Sequence, residues 1–353
     1  MTTNKTIDSK GYAVHNAGEK LSPFAFNRRA VGASDVLIDI KYCGVCHSDI
    51  HAAKSEWHGS SFPMVPGHEI VGIVKEVGSL VKNLKVGDRV GVGTVVGSCG
   101  KCDSCMSGDQ QFCNEATWTY NSTEKQIGGT TYGGYSNNIV VDERFALKLD
   151  PKIDMASTAP LLCAGITTYS PMKRWKVGPG QKVGVVGLGG LGHMAVKFAH
   201  SMGAKVVVFT TSDSKVKDAL RLGADEVVLS NDKKSMKKQA NSFDFIIDTV
   251  SAQHDIDSML SMLKRDRVMV LVGLPNKPHQ INAQTLIHGR RILSGSIVGG
   301  VEETQEMLDY SAKHGIKSDI ELIPIQKINE AYERVLKSDV KYRFVINMES
   351  LNK

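Results

Sequence analysis

Apolar residues are spaced in two different ways along this chain. Up to about residue 150 they come in short β-rich runs, such as DVLIDIKYCG at 35–44 and HEIVGIVKEVG at 68–78. Gly, Pro and Asp interrupt them, as in VGDRVGVG at 86–93, so this part reads as irregular β structure. From about 180 the spacing becomes a regular alternation. KVGVVG (182–187), KVVVFT (205–210), DEVVLS (225–230), DFIIDTV (244–250), RVMVLVG (267–273) and RRILSGSIV (290–298) are predicted strands. Helical spacing fills several gaps between them, in GHMAVKFAHSMGA (192–204) and SKVKDALRLGA (214–224). In the second of these, Val216, Ala219 and Leu220 mark the apolar face and Gly223 the stop. Near-continuous apolar strands alternating with helices imply a parallel sheet covered on both faces. The tail holds two further helical stretches, 302–315 and 328–338, and a last strand, RFVINM at 343–348. Because the alternation is complete before it, the tail is expected to return to the first domain.

At 353 residues the chain is too long for one ordinary core, which agrees with the two textures. A hydrophobic share of 41% with 23% charged residues supports well-packed domains and argues against disorder. The net charge of +6 is scattered, apart from short clusters such as Lys233-Lys234 and Lys237-Lys238, so a nucleic-acid partner is not expected. The opening MTTNKTIDSK lacks the apolar core of a secretory signal, and no apolar run approaches a membrane span. A cytoplasmic location follows as the expectation. Seven cysteines in a reducing compartment suggest metal ligation or buried thiols before disulfides.

GLGGLG follows the first regular strand directly and opens a helix, with Gly187, Gly189 and Gly192 in G-x-G-x-x-G register around Leu188, Gly190 and Leu191. In that context the motif points to a dinucleotide. Gly187 permits a tight turn, Gly189 lets backbone approach a pyrophosphate, and Gly192 lets the helix pack close. The helix N-terminus supplies N–H donors to the anion. The end of the second strand should separate the two nicotinamide cofactors. Thr210, Thr211 and Ser212 stand there, with Lys215 close behind. Hydroxyls and a cation suit a 2′-phosphate, so NADP(H) is expected; Asp213, were it at the strand tip, would favour NAD.

The cysteines divide into groups. Cys99, Cys102, Cys105 and Cys113 follow a C-x2-C-x2-C-x7-C pattern, which suits a closed tetrahedral zinc site. A bacterial iron–sulfur signature would close with three residues and a Pro; here the gap is seven and Asn114 follows. The zinc would pin a long loop, about 95–115, that has little apolar material of its own. The string CGVCH (43–47) spells C-x-x-C-H, which also occurs in c-type haem attachment and thiol redox pairs. Cys46, His68 of PGHE and Cys163 of LLCAG could instead form a Cys2His set with its fourth position open to water or substrate. Each also has a plainer reading, Cys163 as a buried small hydrophobe and His68 as a partner of a backbone carbonyl.

CGVCHSD, PGHEIVG, GDRVGVG, the four-cysteine lobe, LLCAGITTYSP, GLGGLGH and KYRFVI occur in this order across nearly the whole chain. In this the sequence resembles the zinc-containing medium-chain alcohol dehydrogenases, and within them the cinnamyl-alcohol-dehydrogenase-like branch with its bacterial NADP-dependent aldehyde reductases. The resemblance implies an α/β protein. A GroES-like β-rich catalytic domain would occupy 1–153 and 299–353, and a Rossmann domain with a doubly wound six-stranded parallel sheet would occupy 154–298, with the active cleft between them. It implies two zinc ions and NADP(H), acting on a small alcohol or aldehyde. Cys46, His68 and Cys163 would bind the catalytic zinc, with Glu69 as an alternative or supporting carboxylate. Asp49 would orient the ligating His, and Ser48 with His51 would relay protons. Thr167, Val272 and Gly273 would contact the cofactor, His47 and Arg343 would lie near its pyrophosphate, and Thr210–Lys215 would hold the 2′-phosphate. Trp57, Trp118 and Tyr120 would line the substrate pocket. Cys43 is left as a buried thiol without a metal. Pairing of sheet edges near 292–298 would give a homodimer. The other reading the resemblance permits is a non-catalytic NADPH-binding protein on the same scaffold.

Overall fold

The apolar run Asp35–Gly44 becomes the longest strand of a seven-stranded sheet. The computed structural model describes residues 6–57 and 59–352. Val36, Ile38 and Ile40 on this strand are buried in the core that packs against the sheet, and both edges of the strand are paired. Ile70–Val77 pairs antiparallel along one edge; Asn138–Asp142 and then Arg343–Asn347 pair antiparallel along the other. The sheet order is Ile320–Pro324, Arg343–Asn347, Asp35–Gly44, Ile70–Val77, Arg89–Val92 and Leu147–Lys148. The tail strand sets Val345 opposite Gly44 and Ile346 opposite Cys43, which carries Arg343 to the end of the central strand. Beneath lies one core that includes Ile38, Ile70, Val92, Tyr135, Ile139 and Phe344.

The chain divides into two units, Met1–Cys163 with Gly299–Lys353, and Ala164–Val298. The first unit therefore runs ten residues past the boundary at 153 that the resemblance implies. The reason is local. Asp154 caps the helix Met155–Thr158 by accepting from the N–H groups of Ala156 and Ser157, and the next turn, Ala159–Leu162, sets Leu162 against Gly91 of the sheet. Cys163 closes this segment.

The second unit holds the expected sheet of six parallel strands. Its order is Glu226–Leu229, Lys205–Thr210, Lys182–Val186, Phe243–Asp248, Leu263–Leu271 and Ile292–Gly295, which is 3-2-1-4-5-6 in chain order. Reversal of strand order beside the first strand creates the crevice where such sheets bind ligands. The fifth strand starts four residues earlier than its apolar pattern indicated. Its first half, Lys264–Arg267, is exposed and polar, and the register shifts between Phe243 and Phe245 to accommodate it. The helix Val216–Leu222 stops at Gly223 with φ 112°, as its sequence suggested. Its buried face differs from the expectation: Ala219 and Leu222 are buried, while Leu220 is 49% exposed. Residues three apart share a helical face and neighbours do not, so Ala219 and Leu222 pair and Leu220 turns outward.

Candidate active site

The short helix His47–Ala53 begins immediately after Cys46, and Asp49 holds its first turn by accepting from the Cys46 N–H through Oδ2 at 2.9 Å. The same oxygen accepts from the Tyr135 hydroxyl at 3.2 Å. Oδ1 accepts from the Gly67 N–H at 3.1 Å and from His68 Nδ1 at 2.9 Å. With Nδ1 carrying that proton, the His68 lone pair sits on Nε2, the form a metal requires. Burial pulls His68 down, but the Asp49 carboxylate outweighs it and raises the ring well above its ordinary pKa. One carboxylate thereby fixes the loop before the helix, the helix start and the imidazole.

Cys46, His68, Glu69 and Cys163 each place one donor atom within 4.8 Å of all the others, and all four side chains are buried. The Cys46 and Cys163 sulfurs are 3.8 Å apart. Two thiolates at tetrahedral angles on one zinc, each about 2.3 Å from it, would be separated by about 3.8 Å. The hydrogen bond from Cys163, with Arg343 and His68 adding to it, holds the Cys46 thiol well below its usual range. Glu69 is wholly buried; its Oε1 pairs with Arg343 Nη2, while Oε2 has no hydrogen-bond partner. Burial pushes this carboxyl up, against the pull of Arg343, to about 8. An orphaned buried acceptor beside two sulfurs and an imidazole nitrogen is the donor set a divalent cation satisfies. The residues fit zinc.

Arg343, expected near a pyrophosphate, is found buried with its guanidinium facing Glu69. Three further residues escaped the sequence reading. Gly44 is needed because a Cβ there would collide with the Glu69 carboxylate. Tyr135 supports Asp49, and no spacing rule links positions 49 and 135. Glu56 pairs with His51 Nδ1; its place five residues after His51, next to Trp57, was the available signal. The His51 ring stacks on Trp57 at 4.7 Å and on His47 at 5.0 Å. Ser48 Oγ lies 3.6 Å from the Cys46 sulfur. Tyr120 sits with its ring 5.8 Å from His68. Trp118 belongs to the strand Thr117–Trp118, which pairs with Val95–Gly97. Cys43 is fully buried, and burial raises its thiol; it stands outside the donor cluster.

The second cysteine group also converges. Cys99, Cys102, Cys105 and Cys113 place their sulfurs within 4.8 Å of one another, with Cys102–Cys105 at 3.5 Å and Cys99–Cys105 at 3.9 Å. Backbone N–H groups point at the sulfurs, from Cys102 to Cys99 and from Cys99 and Glu115 to Cys113. Those of Lys101 and Cys102 lower the Cys99 thiol. Four converging sulfurs that leave no position open suit a closed zinc site. All seven cysteines are free thiols.

In the second unit Gly187 takes φ 87° and opens the turn after Lys182–Val186. A Cβ on Gly192 would strike the Gly187 carbonyl, so only glycine lets the helix Gly192–Ser201 start this close. At Gly189 the space a Cβ would take is open. Leu188, Gly190 and Leu191 complete the turn. The strand tip is Thr210, and Asp213 lies beyond it in the exposed turn Asp213–Lys215. Ser212 donates its N–H to Thr210 Oγ1, and Lys215 Nζ reaches the Leu188 carbonyl at 2.9 Å, which sets a cation beside the glycine turn. Thr211 follows Thr210 and is exposed. Thr167 is buried on the helix Ala164–Arg174. Val272 and Gly273 follow the fifth strand, both donating N–H to the Asp248 carbonyl.

A family profile described as alcohol dehydrogenase GroES-like domain matches residues 32–151, and one described as zinc-binding dehydrogenase matches 190–313. The chain is 53% identical over 344 residues to aldehyde reductase YahK of Escherichia coli strain K12, covering 97% of this chain and 99% of that one. Among solved structures it is similar to cinnamyl alcohol dehydrogenase SbCAD4 of Sorghum bicolor, with TM-score 0.95 and 44% identity over 97% of this chain and 98% of that one. A cinnamyl alcohol dehydrogenase (CAD) of Helicobacter pylori complexed with NADP(H) superposes with TM-score 0.93 and 45% identity, over 98% and 99% of the two chains.

Proposed function

The chain belongs to the zinc-binding alcohol dehydrogenase family, and on that premise we propose that it is an NADP-dependent oxidoreductase of the alcohol–aldehyde couple, running mainly as an aldehyde reductase. The observation that carries this reading is the buried Cys46–His68–Cys163 set, with its two sulfurs at the spacing of zinc ligands and Glu69 behind it. A metal-holding set this intact disfavours a protein that merely binds NADPH.

Cys46, His68 and Cys163 would hold a catalytic zinc, which supplies Lewis-acid polarisation of the substrate oxygen, while NADP(H) supplies the hydride chemistry. Asp49 keeps the proton on His68 Nδ1 and so keeps Nε2 as a ligand. Arg343 balances the charge of Glu69 in the dry interior. Ser48 gives a proton to the substrate oxygen in reduction and recovers one from His51, three residues along the same helix. Glu56 behind His51 Nδ1 steadies the ring as it loses and regains charge. The glycine turn 187–192 receives the pyrophosphate, Thr210, Thr211, Ser212 and Lys215 the 2′-phosphate, and Thr167, Val272, Gly273 and His47 the rest of the cofactor. Trp57, Trp118 and Tyr120 line a pocket suited to aromatic, allylic or medium-chain aldehydes. The unit of residues 1–163 with 299–353 would act as the catalytic domain and that of 164–298 as the cofactor domain.

Cys99, Cys102, Cys105 and Cys113 would hold a second, purely structural zinc. The edge strand Ile292–Gly295, with Ile292 and Ile297 exposed, would pair with a second copy to give a homodimer. Among the described residues no helix is long and apolar enough to cross a membrane, and seven free thiols suit the cytoplasm. The test is an initial-rate screen of aldehydes with NADPH and NADH in parallel. Aldehyde reduction with NADPH preferred is expected; preference for NADH overturns the cofactor assignment. Absence of activity with both cofactors overturns the enzymatic reading.

A further inference from the structure

Asp248, His254 and His279 form a third cluster of possible metal ligands among the described residues, and none of the chemistry above uses their side chains. Asp248 ends the strand Phe243–Asp248 and is 1% exposed. Its Oδ1 accepts from the Val250 N–H at 3.1 Å, which leaves Oδ2 facing His254 Nε2 at 3.0 Å. On the other side of that ring, Nδ1 lies 2.9 Å from the Ala252 carbonyl oxygen. Only an N–H can face a carbonyl oxygen, so Nδ1 carries a proton. When the ring is neutral, Nε2 presents its lone pair to Asp248, and when it is protonated the two form an ion pair that raises the His254 pKa. Metal-bound imidazoles are held as the neutral ring is here, with the far nitrogen tied to an acceptor.

Nε2 is buried and has no hydrogen-bond partner. Its approach to Asp248 is close but poorly aligned for a hydrogen bond, so the proton of the ion pair is open to replacement by a metal ion. Two electron-rich atoms at this distance repel unless a proton or a metal ion lies between them. Nitrogen and oxygen ligands of one zinc, each about 2.0–2.2 Å from it, lie about 3–3.5 Å apart. His279 completes the group: its ring meets His254 edge-on at 5.1 Å, and the three donor atoms all lie within 4.8 Å of one another. The loops carrying the ligands are already braced. Gln253, next to His254, donates to the carbonyl of Pro278, next to His279, and the Asn282 N–H donates to Asp257.

We propose that Asp248, His254 and His279 form a third metal site, taking a divalent transition ion of the Zn2+ or Ni2+ class with water completing its shell. The ion cross-links the loops that follow the fourth and fifth strands of the six-stranded sheet.

The probe is Ni2+ alone, titrated calorimetrically into untagged, zinc-loaded protein after removal of loosely held metal. Wild type is expected to take up one more equivalent than His279→Ala or His254→Asn, with at least tenfold weaker binding in each variant. Its thermal midpoint should rise by about 2–4 °C with saturating Ni2+, and those of the variants should not. Neither residue is fully buried, so both variants should fold, and a normal midpoint without Ni2+ verifies it. Equal uptake and equal thermal response in wild type and both variants overturns the proposal. Because the readout is a difference between chains sharing both cysteine sites, that failure would leave the reading of those sites untouched.

Discussion

Replacing Asp49 by Asn keeps the side chain's shape and tests whether its two oxygens organise the site. Oδ1 accepts from Gly67 N–H and His68 Nδ1, and Oδ2 from Cys46 N–H and the Tyr135 hydroxyl. Whichever way the amide turns, its NH2 must face one backbone N–H that cannot reverse. The cheaper choice places NH2 at the Oδ2 position, where the Tyr135 hydroxyl can rotate to accept and only the Cys46 N–H is orphaned. An orphaned buried donor costs about 1–3 kcal/mol, and the surviving bonds fall from charge-assisted strength, about 1.5–3 kcal/mol, to about 1 kcal/mol. A destabilisation of about 3 kcal/mol follows for the first unit. The assay is urea unfolding of chelator-treated protein in a Trp175→Phe background, so that Trp57 and Trp118 report the first unit. Repeating it with zinc-loaded protein should widen the difference, because a neutral amide oxygen holds the His68 ring more weakly than the carboxylate does. Tyr135→Phe, which removes one donor only, should cost about 1 kcal/mol. A loss below about 1 kcal/mol for Asp49→Asn in both forms would refute this account of the four convergent donors.

Ser48→Ala is expected to lower kcat about 10²–10³-fold with the KM for NADPH unchanged; full turnover across the pH range would remove Ser48 from the relay. Metal analysis should find that Cys46→Ser loses one zinc and nearly all turnover while the chain remains folded. Cys102→Ser should lower the midpoint and the content of both metals, and a single zinc per wild-type chain would contradict this division. Lys215→Ala should raise the KM for NADPH about tenfold by removing a phosphate-directed charge, and leave that for NADH nearly unchanged; equal effects on the two would sink the 2′-phosphate assignment. Burial pushes the Asp244 carboxyl up, but the Lys182 N–H with the Lys264 and Arg267 cations outweighs it and holds the pKa below its ordinary 3.8. That interaction is present above pH 3.8 and is lost as pH falls through the lowered value. Followed by Trp175 fluorescence, wild type should therefore lose stability on acidification below about pH 4. Asp244→Asn should be less stable at pH 7 and flatter in that window; parallel pH profiles would show the carboxylate to be uninvolved.

The sequence by itself determined what depends on local spacing. Six apolar runs with helices between them could bury both faces only as a covered parallel sheet, and Gly187, Gly189 and Gly192 mark a turn whose steric demands are read within six residues. Four cysteines within fifteen residues can converge with little help from the rest of the chain. The Leu220 face and the early start of the fifth strand were misread for the same reason: one-dimensional periodicity does not register which neighbour covers a side chain. Tertiary structure decided whatever depends on distant segments. Only the pairing of 343–347 against 35–44 brings Arg343 to Glu69, and only the folded core sets Tyr135 beneath Asp49. Glu69 Oε2 is left without a partner because Gly44 admits it, a close approach no sequence pattern records. The pairing of Asp248 with His254 and His279 is likewise a product of two loops meeting. Backbone rules act over a few residues and can be read from the chain; a buried charge is defined by what surrounds it, and that exists only after folding.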